Sequence, residues 1–181
     1  MSLLDAACQT CSVCWKTRTA SHPRIYAIGD PDARILFIDD MPHVATEEWS
    51  PESTSLSYKE YYWGRIVWTR EACAYLVDGL PFTYTQAVRC EPEVLGDTDI
   101  NPAVACGVWT HNLTPNRSLI ITGRQGFGQM KLDVEKYEDY KMYRSARLGI
   151  IFTIPAIDKL EDHLKEVRTR LSRALKEARL K

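Results

Sequence analysis

The sequence predicts an α/β fold, three layers deep, around a central four-stranded, mainly parallel sheet. Two observations carry that expectation. Four short apolar, largely β-branched runs, Ile35–Ile38, Thr83–Val88, Leu119–Thr122 and Ile150–Thr153, are each bounded by turn formers or charges. Runs of that length without polar alternation are typical of strands buried on both faces. Helical stretches separate several of these runs, and crossovers of this kind join parallel strands beneath helices on both sides of a sheet.

In chain order, Asp30-Pro-Asp-Ala-Arg34 forms a polar turn leading into the first strand. The stretch from Ala45 to Tyr61, with Ser50-Pro-Glu-Ser-Thr-Ser55, reads as a long surface loop. Apolar spacing from Trp68 to Val77 predicts a helix before the second strand, and a second helix is expected near Pro102 to Leu113. A weaker one follows Gly123. The tail from Asp158 to Lys181 predicts one long amphipathic helix with Leu160, Leu164, Val167, Leu171 and Leu175 on one stripe. Its eight basic and five acidic residues fit either a solvated face or one that meets phosphate or a partner. In such folds ligands bind outside the carboxyl ends of the strands, so chemistry is expected just after residues 38, 88, 122 and 153.

The 181 residues (20.7 kDa) are expected to form a single domain spanning 1–181. With 45% hydrophobic and 26% charged residues, the composition excludes disorder and collagen-like repeats. No apolar run approaches the roughly 18 residues of a membrane span, and no secretory signal opens the chain, so a cytoplasmic protein is expected. A net charge of -1 excludes a uniformly basic nucleic-acid coat and leaves room for a local basic patch.

The six cysteines are the least ordinary feature. Cys11-Ser-Val-Cys14 is a CxxC, and Cys8-Gln-Thr-Cys11 is a second one sharing Cys11. Neighbouring thiolates at that spacing can chelate one centre. Cys90 and Cys106 add two distal thiols, making four ligands for an iron–sulfur cluster or a structural zinc. Cys8 is either a spare thiol or an alternative to Cys14. Cys73, within a helical pattern, reads as a small buried hydrophobe.

These residues together resemble the iron–sulfur uracil-DNA glycosylases, families four and five of that superfamily, over nearly the whole chain. Cys11-x-x-Cys14 resembles the family's opening cluster pair, and Asp30-Pro-Asp-Ala its "NPDA" step. Thr85-Gln-Ala-Val-Arg-Cys90-Glu-Pro92 is similar to "TNVVKCRPP", Cys106 falls at the fourth ligand's spacing, and Leu119-Ile-Ile-Thr-Gly123 resembles the third strand and its glycine. The resemblance implies a uracil-DNA-glycosylase-like fold and a 4Fe-4S cluster on Cys11, Cys14, Cys90 and Cys106, beside a DNA-binding surface.

The catalytic motifs depart from the family. In place of "GExPG" the chain has Asp39-Asp-Met-Pro-His43, which keeps a carboxylate at Asp40 and the proline at Pro42 and replaces both glycines. In place of "HPS" it has Ile154-Pro155-Ala156, so Pro155 remains and the imidazole is gone. Gln86 stands where an asparagine reads the base. Tyr62, in Tyr61-Tyr-Trp-Gly64, corresponds to the aromatic ring that stacks on it. His43 either replaces the missing donor or is an ordinary surface or core histidine.

Two functions are therefore expected. One is a divergent glycosylase that hydrolyses the N-glycosidic bond of uracil or a modified pyrimidine, with Asp40 and His43 as its catalytic residues. The other is a catalytically degenerate DNA- or protein-binding subunit of a replication or repair assembly. Arg65, Arg70, Arg124 and the amides near Gln125, Gly126 and Gly128 are the expected phosphate contacts in either case.

Overall fold

The computed structural model describes residues 27–40, 68–87, 107, 110–130, 136–155, 157–160 and 162–180. Their six strands form one sheet in the order β1-β3-β2-β4-β6-β5. The strands are β1 (Ile28–Gly29), β2 (Ile35–Asp39), β3 (Phe82–Gln86), β4 (Leu119–Thr122), β5 (Met142–Ser145) and β6 (Gly149–Thr153). The four central strands, β3, β2, β4 and β6, are mutually parallel, and they are the four that the apolar runs predict. The two edge strands are antiparallel additions.

Alternation along each central strand sorts its side chains to opposite faces. Ile35, Phe37, Leu119, Ile121, Ile150 and Phe152 pack with Ala72, Cys73 and Leu76 of α1 (residues 68–76) and with Val167, Leu171 and Leu175 of α4 (Leu164–Glu177). Leu36, Ile38, Ile120 and Ile151 pack on the other face against Leu113 of α2 (helical at 107 and 110–113) and Phe127 of α3 (Arg124–Gln129). The sheet thus lies between helices on both faces. Each fully buried Ile or Leu contributes about 1.5–3 kcal/mol relative to an exposed one.

Three differences from the sequence reading have physical causes. β1 has two residues, too few to form a pattern. β5 is an edge strand in which only Tyr143 is buried, so Met142-Tyr-Arg-Ser145 carries no apolar run. It reverses into β6 through Gly149, whose φ of +78° is a conformation that side-chain-bearing residues rarely adopt. The tail is not one helix from Asp158. A 3-10 turn at Ile157–Lys159 comes first, with the His163 amide bonded to the Leu160 carbonyl, and the α-helix begins at Leu164.

The expected apolar stripe is present, with Leu160, Val167, Leu171 and Leu175 buried and Leu164 partly so. Outside that stripe, Arg168 on its flank pairs with Asp78, Arg170 with Glu166, and Arg173 with Glu177, which also pairs with Arg144. These guanidiniums are engaged by carboxylates of the same chain, which matches the solvated reading of that face. No helix among the described residues is long and apolar enough to cross a membrane.

Candidate functional site

Register places the carboxyl ends of the parallel strands at one level: Asp39 pairs with Gln86, Ile38 with Thr122, and Thr122 with Thr153. Successive crossovers run from β2 to β3 on one side and from β4 to β6 on the other. The order reverses between β2 and β4, the position at which open α/β sheets bind ligands. Asp39 and Asp40 leave β2 on one side of that point, and Gly123 leaves β4 on the other.

The two aspartates have different environments. Asp39 continues the register of Ile35 and Phe37 and is only 8% exposed. Its Oδ1 accepts the Asp40 amide at 2.9 Å and the Ile157 amide at 3.1 Å, and Oδ2 accepts the Tyr84 hydroxyl at 3.1 Å. Loss of hydration by burial outweighs those three hydrogen bonds and pushes its pKa from 3.8 to about 6, with the neighbouring Asp40 charge adding to the rise. Burial raises Tyr84 as well, and Asp39 pushes it in the same direction; Gln86, which hydrogen-bonds the tyrosine side chain, pulls it back. Cys73 is fully buried beside this group, and its thiol is raised by burial and then by Asp39.

Asp40, the expected catalytic carboxylate, has a structural task. Its Oδ1 accepts the Gln125 amide at 2.7 Å, in the first turn of α3, and so caps that helix across the switch point. The carboxylate occupies the space that a side chain on residue 123 would need: a Cβ on Gly123 would lie 2.3 Å from Asp40 Oδ1. This bears on one of the amides expected to meet phosphate. The Gln125 amide is taken by a negative charge. Gly126 serves close packing on the sheet, since a Cβ there would meet Ile38 Cγ2 at 2.5 Å. Arg124 lies over the Tyr137 ring, 5.6 Å from its centroid.

Gln86 is 6% exposed, and its Oε1 is a buried acceptor with no hydrogen-bond partner among the described residues. An unpaired buried acceptor costs about 1–3 kcal/mol. The Gln125 Oε1 is in the same state. Across the sheet from Gln86, Ile154 is buried and offers only its backbone: its amide bonds the Thr122 carbonyl at 2.9 Å, and its carbonyl lies 2.6 Å from the Tyr137 hydroxyl. Pro155 follows it, half-buried. Position 154 thus carries no polar side chain, as the sequence requires.

A third buried group ties the helices to the exit of β3. Gln129 Nε2 donates to the Ala87 carbonyl at 2.7 Å, and Gln129 Oε1 accepts the Thr110 hydroxyl at 2.7 Å. Its Cγ would lie 3.8 Å from a Cβ on Gly107.

Of the residues expected from sequence, Asp40, Gln86 and Pro155 lie at these strand ends. Pro42, His43, Tyr62, Cys8, Cys11, Cys14, Cys90 and Cys106 lie outside the described residues, as does Arg65. Among the described residues no three His, Cys, Asp or Glu side chains are grouped to hold a metal ion. Cys73 is core, as expected. Sequence reasoning missed Asp39, taken only as a lost glycine, and also Tyr84 and Gln129. The signal for Asp39 was present: a period of two from Ile35 and Phe37 puts it on a buried face. No protein-family model matches the chain, and no curated protein matches it.

Proposed function

We propose that this chain is a DNA-binding protein of the iron–sulfur glycosylase type, diverged at its catalytic motifs, that holds an extruded pyrimidine at the strand ends. The observation that carries this reading is the unpartnered Gln86 Oε1 beside the switch point. A pyrimidine presents an N3–H or an exocyclic amine on its Watson–Crick edge, the donor that this acceptor lacks. The sequence motifs around Cys11, Cys14, Cys90 and Cys106 supply the cofactor part: four soft thiolates suit a 4Fe-4S cluster, with zinc as the alternative. Gln129 is compatible with that assignment: it holds the Ala87 carbonyl, three residues before Cys90, and accepts the Thr110 hydroxyl, four residues after Cys106. Such a centre would staple chain segments beside the DNA surface.

Binding outweighs hydrolysis in this reading. Departure of the base as an anion needs a hydrogen-bond donor, and loss of one such donor costs about 10²–10³ in rate. Ile154 provides none, and Asp40 is committed to the Gln125 amide. A protein that holds the base without cutting it serves as an accessory subunit in replication or repair.

One observation favours excision as a second reading. Asp39 titrates near pH 6, where a buried carboxyl can move a proton. Alkali cleavage of a uracil-containing oligonucleotide after incubation with the protein separates the two. Strand scission that disappears in Asp39→Asn establishes excision; uncut DNA that is nevertheless bound, with affinity falling as salt rises, establishes the binding protein.

A further inference from the structure

Three buried polar side chains on one face of the sheet form a chain of hydrogen bonds that ends at Gln86 Oε1. Tyr84 and Gln86 lie two apart on β3 and so share a face, and Asp39 stands opposite Gln86 in the parallel register. Asp39 Oδ1 accepts the Asp40 and Ile157 amides, which leaves Oδ2 for the Tyr84 hydroxyl at 3.1 Å. With its one proton committed to Asp39, the Tyr84 oxygen can only accept from its other neighbour. Gln86 makes that hydrogen bond. A glutamine amide donates only through its nitrogen, so Nε2 faces the tyrosine and Oε1 is left without a partner among the described residues.

We propose, on the reading above that a base is held at Gln86, that Tyr84 oriented by Asp39 is a positioning residue that sets the hydrogen-bond polarity of Gln86, and so selects a base that donates over one that only accepts. The two ends of a glutamine amide have nearly the same shape and opposite hydrogen-bonding character, so a partner must decide which end is presented. A carboxylate only accepts, and the direction of each bond in the chain is therefore set at Asp39. A ring N3–H that meets Oε1 completes the chain. A ring nitrogen with a lone pair there would set two acceptors face to face, and neither would be satisfied. A donor in place of the carboxylate reverses each bond in turn. It occupies the Tyr84 oxygen, the tyrosine proton turns to Gln86, and the amide rotates to accept it and presents Nε2.

Full-length protein is titrated by fluorescence anisotropy at about pH 8, where Asp39, with a pKa of about 6, is charged. The oligonucleotides differ at a single position, which carries uracil, with its N3–H; 2-pyrimidinone, whose pairing edge holds only acceptors; or an abasic site. Wild type should bind the uracil strand about tenfold more tightly than the 2-pyrimidinone strand. Tyr84→Phe releases the amide and should bring those two strands within about twofold of each other. Asp39→Asn, whose amide donates to Tyr84, should reverse their order. Both variants should keep the wild-type affinity for the abasic strand, whereas general destabilisation would weaken all three strands alike and leave the order intact. Tyr84→Phe decides alone if Asp39→Asn fails to fold. Equal wild-type affinity for the uracil and 2-pyrimidinone strands, or a wild-type preference for uracil that survives in either variant, overturns the inference. Wild type that binds the uracil strand no better than the abasic one overturns the base-holding reading instead, so the two failures are distinguishable.

Discussion

Replacing Asp39 with asparagine should stabilise the protein at neutral pH, although three hydrogen bonds converge on that carboxylate. The folded-state pKa is raised from 3.8 to about 6, chiefly because burial penalises the charge. The folded state therefore binds a proton more tightly than the unfolded chain between those values. Stability tied to this group is fully present below pH 3.8 and is lost as pH rises through about 6. That rise from 3.8 to about 6 corresponds to about 3 kcal/mol, a large share of the roughly 5–15 kcal/mol that typically holds a domain together. Asparagine stays neutral throughout. Its Oδ1 can still accept the Asp40 and Ile157 amides, and its amide can donate to the Tyr84 hydroxyl. Urea unfolding of both proteins at steps from about pH 4 to 8 gives the difference directly, provided the m-values agree. The asparagine variant should gain on wild type by about 3 kcal/mol between the acid and neutral ends. A difference that stays flat with pH, or favours wild type more as pH rises, would refute the assignment of a buried, raised Asp39.

Other expectations follow from neighbouring contacts. Gly123→Ala would drive a methyl into the Asp40 carboxylate and should cost about 1–3 kcal/mol in urea unfolding. Asp40→Ala removes the cap on the Gln125 amide, and an unfolding midpoint equivalent to about 0.5–2 kcal/mol less stability is expected. Tyr84→Phe takes a donor from Asp39 and should move the pH-dependent loss of stability to higher pH, read from the same titration. Cys90→Ala or Cys106→Ala should abolish bound metal, whereas Cys73→Ala, a core thiol, should retain it.

The central sheet was legible because its four strands are buried on both faces, and burial on both faces leaves unbroken apolar runs. The edge strands were not, because β5 exposes Arg144 and β1 is two residues long. At the site, Asp40 and Gln86 were identifiable by position at strand ends, but the bond from the Gln125 amide to Asp40 was not. A carboxylate two residues past Ile38 reads the same whether it meets a substrate or caps a helix 85 residues away. Asp39 was discounted because a glycine was expected there for close backbone approach. In the folded chain its side chain turns into the interior and bonds the Ile157 amide, a partner 118 residues distant. Gln129 escaped notice for the same reason: Ala87 and Thr110, which its amide bonds, come from other parts of the chain.

The most direct test of the proposed function is a fluorescence anisotropy titration with oligonucleotides that carry either one uracil or an abasic site at the same position. Wild type should prefer the uracil strand by about 0.5–1.5 kcal/mol, the worth of one hydrogen bond accepted by Gln86 Oε1. Gln86→Leu should lose that preference while keeping the salt-dependent binding common to both strands. Equal affinity of wild type for the two strands, or a preference that survives in Gln86→Leu, would contradict a base held at Gln86.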